Sequence, residues 1–351
     1  MQRRTQRATR LGTAAAVPLV VVLVAGCASG GGDTTDPGDG DASNPEVTLR
    51  VATSQPETAP NYYCGVELLK ERLEDADVGL TVELFPASAL GPDTERLTAL
   101  QAGDIDIDLQ GSPNLATIWE PLGTVEAAYA WDSLDDFYAF YDGAEGEQLQ
   151  ADWTAASDLT FADPWLFGTR TFSTVDAPIT SPDDLPAVPI RFPDSPQFLA
   201  NAEAMGANVV TIAYEEVYVS LQQGIAAGQE NPIPATHNAS YDEVLNTFSL
   251  NEHQYGLHWV TVSNVTLDKM SEEQQELLFS TVKELREEVR GCEEADTEEL
   301  LDEYRANPDF TVVEREDIDL DAFREMAEEY FLEYYDGETL ELYETIRGFS
   351  G

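Results

Sequence analysis

Apolar and polar positions alternate over Val47–Thr53 and again over Leu80–Phe85, the period of a half-buried strand. Between them Val66, Leu68, Leu69 and Leu73 recur at helical spacing, so residues 61–75 are expected to form a helix. Pro92 opens a second helix, with Asp93 or Thr94 at its cap and Gly103 at its end; strand alternation returns over 105–109. Strands that alternate with helices imply a parallel sheet, and ligands of such sheets sit at the carboxyl ends of the strands. Gln110 stands at one such end. Downstream, the pattern predicts a helix over 134–153, strands over 158–162 and 166–173, a loop over 178–185 and a strand over 188–192. A helix over 196–205, a strand over 208–212 and a helix over 215–224 follow, with Tyr214 at the entry to the last. A turn begins at 227 and leads into Asn231-Pro232. A strand over 255–263 crosses back, and Ser271 with Gln274 forms the capping signature of a long helix reaching about Arg290. A strand over 310–313 and helices over 321–335 and 338–346 close the chain. The fold class is α/β, built twice over.

The first residues follow a different pattern. Arg3, Arg4, Arg7 and Arg10 precede an apolar run over 11–25 that is too short for a lasting membrane span. It ends in Val24-Ala-Gly-Cys27, which resembles the bacterial lipobox, so residues 1–27 are expected to be a lipoprotein signal peptide with Cys27 as the lipidated residue. Residues 28–45 hold Gly, Asp, Ser, Thr and Pro with nothing apolar to bury, the composition of a disordered tether. A lipid anchor is then the chain's only hold on the membrane. In such an exported setting Cys64 and Cys292 are expected to pair, the alternative being two buried free thiols.

Charge narrows the partners. The chain has 67 acidic and 18 basic residues, a net charge of −49. Phosphate backbones need clustered Lys and Arg, so nucleic acid is excluded as a partner. Between Arg96 and Lys269 the only Lys or Arg residues are Arg170 and Arg191. Two readings of this pair stand open on the residues alone: structural ion pairs with nearby acids, or a receptor for an anion. His237, His253 and His258 lack metal-ligand spacing and read as surface or packing residues; no metal or cofactor is called for. A tethered hydrolase would be a competing function, but the sequence has no Gly-x-Ser-x-Gly, His-Glu-x-x-His or Cys-x-x-Cys.

The stretch around the two arginines carries an ordered set of short elements. They are Gly168-x-Arg170, Pro178-Ile-x-x-Pro-Asp-Asp-Leu185, Ile190-Arg-x-Pro193, Met205-Gly-Ala207, Glu216-Val-Tyr218 and Leu221-Gln-x-Gly-x-x-x-Gly-Gln-Glu-Asn-Pro232. Ala89-Leu-Gly91 and Leu100-Gln-x-Gly-Asp-Ile105 precede them. The set resembles the solute-binding proteins of TRAP (tripartite ATP-independent periplasmic) transporters, over nearly all of 46–345. That resemblance implies a two-lobed periplasmic-binding-protein-like fold, with a ligand cleft between the lobes, crossing strands and a long connecting helix. Lobe I would hold 46–167 with about 256–297, and lobe II 168–255 with about 298–351. It implies an extracytoplasmic receptor, not an enzyme, that passes a small organic acid to TRAP membrane permease subunits. Arg191 would form a bidentate salt bridge to the ligand carboxylate, Arg170 would add a second charge and Asn231 a hydrogen bond. Gln110 and Tyr214 match positions that often line the cleft. A binding protein of an ATP-driven importer, or a sensor, is the alternative with the same fold.

Overall fold

The structure is a computed structural model and describes residues 44–349. The signal segment 1–27 with Cys27, and the tether as far as residue 43, lie outside the described residues. Asn44 and Pro45, read as tether, are already anchored: Asn44 Nδ2 donates to Glu273 Oε2 (2.8 Å), and Gln274 Nε2 donates to the Pro45 carbonyl (2.7 Å).

Among the described residues nine strands form one sheet. They are β1 (Val47–Thr53), β2 (Leu80–Phe85), β3 (Ile107–Gln110), β4 (Leu159–Thr174), β5 (Pro189–Phe192), β6 (Asn208–Thr211), β7 (Gly228–Asn231), β8 (Thr247–Ser263) and β9 (Thr311–Val313). The helices that surround it are α1 (Glu67–Asp75), α2 (Asp93–Ala102), α3 (Ser112–Leu115), α4 (Leu134–Tyr141), α5 (Ala144–Ser157) and α6 (Pro196–Ala204), then α7 (Val217–Gln222), α8 (Ile233–Asn238), α9 (Asn264–Leu267), α10 (Glu272–Ala306), α11 (Leu320–Tyr334) and α12 (Gly337–Phe349).

The strand order is β2-β1-β3-β8-β4-β7-β5-β6, with β9 on β8. The outer trios are parallel clusters: β2-β1-β3 in one lobe, β7-β5-β6 in the other. The long antiparallel pair β4 and β8 runs between them, β3 pairing with one end of β8 and β7 with one end of β4. These are the crossing strands of a two-lobed α/β fold. In the middle of the pair Gly168 faces Gly256, next to a register shift between Leu166 and Gly168. Gly168 has φ +122°, and a Cβ there would lie 2.6 Å from Pro232 Cβ, so only glycine fits.

Several elements differ from the sequence-based expectation. The strands expected over 158–162 and 166–173 are one strand, because bulges absorb the Asp163-Pro164 interruption. The strand expected over 255–263 begins at Thr247, since its polar stretch is buried between neighbours rather than exposed. The turn expected from 227 is strand β7. The helix expected over 134–153 breaks at Asp142-Gly143 into α4 and α5.

The long helix α10 has 35 residues and passes Arg290 to end at Ala306. At 1.5 Å per residue it is about 52 Å long. Its stripe Leu278, Val282, Leu285 and Val289 packs with Leu69 and Leu73 of α1 and with Leu49 and Val51 of β1. A disulfide joins Cys64, in a π-helical turn before α1, to Cys292 of α10 across 228 residues of sequence. Because so long a loop is closed, reduction is expected to lower unfolding stability by about 2–5 kcal/mol. Denaturant melts with and without reductant measure this; equal midpoints would show that the link contributes nothing.

Candidate functional site

Five strands of the two parallel clusters point their carboxyl ends at one cavity of about 300 Å³. Ser54 and Gln55 follow β1, Gly111 follows β3, Pro193 and Asp194 follow β5, Tyr214 and Glu215 follow β6, and Asn231 ends β7. Asp93 and Thr94 at the start of α2, Asn114 of α3 and Glu126 extend the first-lobe wall; Phe198 of α6 extends the second. The crossing strands supply the floor, with Phe167 and Arg170 from β4 and Leu257 and His258 from β8. This is the placement open parallel sheets give a ligand, and the volume suits a small molecule.

Arg191 is fixed by its strand. It sits in β5 opposite Val210 of β6, and its Nε donates to the Ile212 carbonyl at 2.9 Å. The residue is 1% exposed, and its Nη1 is buried with no partner. No carboxylate of the described residues forms an ion pair with it. Burial draws its pKa below the ordinary arginine value, and the nearby Glu230 charge offsets part of that. An unpaired buried cation costs free energy that a bound anion would recover.

Arg170 is in a different state. Its Nε and Nη2 grip the two Glu230 carboxylate oxygens at 2.5 and 2.7 Å, and Nη2 also reaches the Glu230 carbonyl at 2.8 Å. Its guanidinium lies 4.9 Å from the Phe198 ring centroid. Burial alone would raise the Glu230 pKa, but the Arg170 charge and a hydrogen bond from His253 hold it down at about 2. Both arginines line the cavity, yet only Arg191 is free of an internal counter-ion.

The other expected residues divide. Asn231 lines the cavity while its amide donates to Gln229 Oε1 at 2.5 Å. Tyr214 lines it half-buried, its ring edge-on to Tyr241. Gln110 does not line it: the amide turns back to the Asp93 carbonyl (3.0 Å) and Asp108 Oδ2 (2.6 Å), and so braces the wall from behind. Asp93, Glu126 and His258 also line the cavity, as do Asp194 and Glu215, and none of them carries a binding role in the sequence reading. Asp93 is held by the buried Arg96 at 2.8 Å, and Glu126 is a buried carboxylate. His258, read as surface or packing, is buried and lines the cavity, stacked on Phe167 at 4.3 Å. A sequence signal existed only for Asp93, at a helix start facing strand ends.

Beside the Gly168 crossing, Glu293 of α10 is 2% exposed with Oε2 unpartnered. Burial, then repulsion from Asp296, pushes its pKa well above the ordinary value. The folded protein therefore holds a proton that the unfolded chain releases above its ordinary glutamate pKa. The sign follows: this group's stabilisation is full at low pH and is lost as pH rises toward the folded pKa, at about 1.4 kcal/mol per pH unit. Glu293→Gln should remove that slope, so the wild-type-minus-variant difference in denaturant melts should fall from pH 5 to 8. A pH-independent difference would show that Glu293 is ionised in the fold.

Residues 51–338 match the sequence profile of the bacterial extracellular solute-binding protein, family 7. A TRAP periplasmic solute-binding protein of Roseobacter denitrificans, solved with bound L-galactonate, superposes with a TM-score of 0.77 at 26% identity, over 86% of this chain and 98% of that one. One from Citrobacter koseri with bound D-glucuronate gives a TM-score of 0.75 at 25% identity, over 86% and 98% of the two chains. The 2,3-diketo-L-gulonate-binding periplasmic protein of Escherichia coli is 28% identical over 236 residues, 67% of this chain and 71% of its own length. Among the described residues no helix is long and apolar enough to cross a membrane. The chain belongs to the bacterial extracellular solute-binding proteins of family 7.

Proposed function

We propose that the protein is the extracytoplasmic receptor of a TRAP transporter, that it captures a small organic carboxylate on Arg191, and that it delivers the acid to the membrane permease subunits. The observation that carries this reading is the buried Arg191 guanidinium, which lines the cavity with Nη1 orphaned and no internal carboxylate. With Nε committed to Ile212, the two Nη groups form the fork that matches a carboxylate. Relatives bind acids of this kind, L-galactonate and D-glucuronate among them.

In this reading Arg170 lends a donor through Nη1 but little net charge, because Glu230 neutralises it. Asn231 and Tyr214 add polar contacts from the second lobe, and Gln110 supports the first-lobe wall. The lobes divide at the crossing strands, at 167/168 and 255/256, where Gly168 meets Gly256, and they close there on the ligand. Cys27 anchors the chain to the outer face of the membrane by its lipid. No step of catalysis enters this role.

A thermal-shift screen of organic acids tests it. A ligand at 100 times its Kd stabilises the folded state by about 2.7 kcal/mol, so at least one carboxylate should raise the melting temperature by several degrees. A screen in which amines or neutral solutes shift the melt and carboxylates do not would remove the reading.

A further inference from the structure

The charge inventory of the cavity specifies more than "carboxylate". Arg170 is neutralised by Glu230, so Arg191 is the one uncompensated cation on the described walls. Besides His258 and Tyr214, the remaining ionisable lining is carboxylic: Asp93, which Arg96 pairs, with Glu126, Asp194 and Glu215. Glu126 is oriented by three donors, Ser112 N at 2.5 Å, Leu257 N at 2.9 Å and Gln254 Nε2 at 3.1 Å. Burial pushes its pKa above the ordinary glutamate value, and these N–H bonds offset part of that rise; the lone pairs left over suit hydrogen-bond donors on a ligand.

His258 supplies the complementary function. Its Nδ1 lies 2.6 Å from Asn61 Nδ2, an amide nitrogen that only donates, so the ring proton resides on Nε2. Phe167 fixes the ring plane by stacking. Nε2 has no protein partner among the described residues, and His258 lines the cavity. Burial pushes the His258 pKa down to about 3, which keeps the ring a neutral N–H donor rather than a second cation.

We propose that the cavity selects a monocarboxylate bearing hydroxyl or oxo oxygens, and that His258 donates its Nε2–H to one of those oxygens, with Asn61 as the positioning residue. The inference rests on the receptor reading. One carboxylate satisfies Arg191; hydroxyls satisfy both His258 as acceptors and the acidic wall as donors. A dicarboxylate would place its second charge among carboxylates with only a neutral imidazole to meet it.

Calorimetry on the full chain tests this with three ligand sets: four- to six-carbon hydroxylated monocarboxylates including L-galactonate, their unhydroxylated analogues such as hexanoate, and dicarboxylates such as succinate and glutarate. The best hydroxylated monocarboxylate should bind at least about 100-fold tighter than any dicarboxylate and at least about tenfold tighter than its unhydroxylated analogue. His258→Phe keeps the stack on Phe167 and should weaken the hydroxylated ligand on the order of tenfold while leaving hexanoate unchanged. His258→Gln should recover part of the loss. Nitrogen-15 NMR of the wild-type histidines should show the Nε2–H tautomer at His258 and a shift on adding the hydroxylated acid, a readout independent of whether any variant folds. A dicarboxylate that binds as tightly as the best monocarboxylate, an Nδ1–H tautomer, or equal losses for both ligands in His258→Phe would overturn the inference while leaving the receptor reading intact. No binding by any carboxylate would instead overturn the receptor reading, and this inference with it.

Discussion

Arg191→Ala should lose carboxylate affinity by about 2–5 kcal/mol, which is roughly 30-fold to more than 1,000-fold in Kd, while the unliganded protein melts no lower than wild type. The two halves of this result have one cause. Arg191 is buried without a carboxylate partner, so removing it relieves a desolvated charge and sacrifices only the hydrogen bond to Ile212. The ligand supplies the missing partner, so the loss appears in binding. Arg191→Lys should also bind weakly, because a lysine ammonium cannot present the two parallel N–H bonds of the fork. Isothermal titration and thermal melts on the same samples read both halves. An unliganded melting point several degrees below wild type, with affinity retained, would reverse the assignment.

Arg170→Ala should do the opposite and cost about 3–5 kcal/mol of folding stability, the range for stranding one member of a buried ion pair. Its partner Glu230 is fully buried, and Arg170 is the main charge that holds it ionised. Glu230 titrates at about 2 in the fold, below its ordinary value. Its stabilisation is therefore present above the unfolded pKa and lost only as pH falls toward 2. In Arg170→Ala the carboxyl loses that protection, so the destabilisation should be large at pH 7 and shrink toward pH 4, where the unfolded chain is protonated as well. Adding Glu230→Gln to Arg170→Ala should restore part of the stability at pH 7. Equal stability of wild type and Arg170→Ala at pH 7 would show that the pair does not hold the second lobe together.

The contrast between the two arginines marks where sequence ceases to be legible. Both stand out as lone cations, and the ordered motifs around them identify the family. Which acid belongs to which arginine is another matter. Glu230 lies 60 residues from Arg170, and only the antiparallel pairing of β4 with β7 brings them together. With 67 acids in the chain, no spacing rule selects that one.

The strands β1 and β2 are legible to the residue, because each opens on clear apolar–polar alternation, Val47 to Val51 and Leu80 to Leu84. The crossing strands were read short or broken, because β4 carries Asp163-Pro164 and β8 carries Asn251 to Gln254 in its middle. Those polar residues are buried and bonded rather than exposed, as with Asn251 to Tyr129 and His253 to Glu230. His258 reads from sequence as surface or packing for the same reason: its position opposite Trp165 in the β4–β8 register places it at the cavity, and register is a property of the pairing. The end of α10 was missed because its second half, beyond Gly291, is acidic and largely solvated, with little apolar stripe to extend.

A crystal structure of the protein with the acid that most raises its melting temperature decides whether Arg191 is the anion's seat. The ligand carboxylate should lie in the cavity with one oxygen on Arg191 Nη1 and the other on Nη2, while Nε stays on the Ile212 carbonyl. A ligand whose carboxylate sits elsewhere, with Arg191 Nη1 still unpartnered, would contradict it.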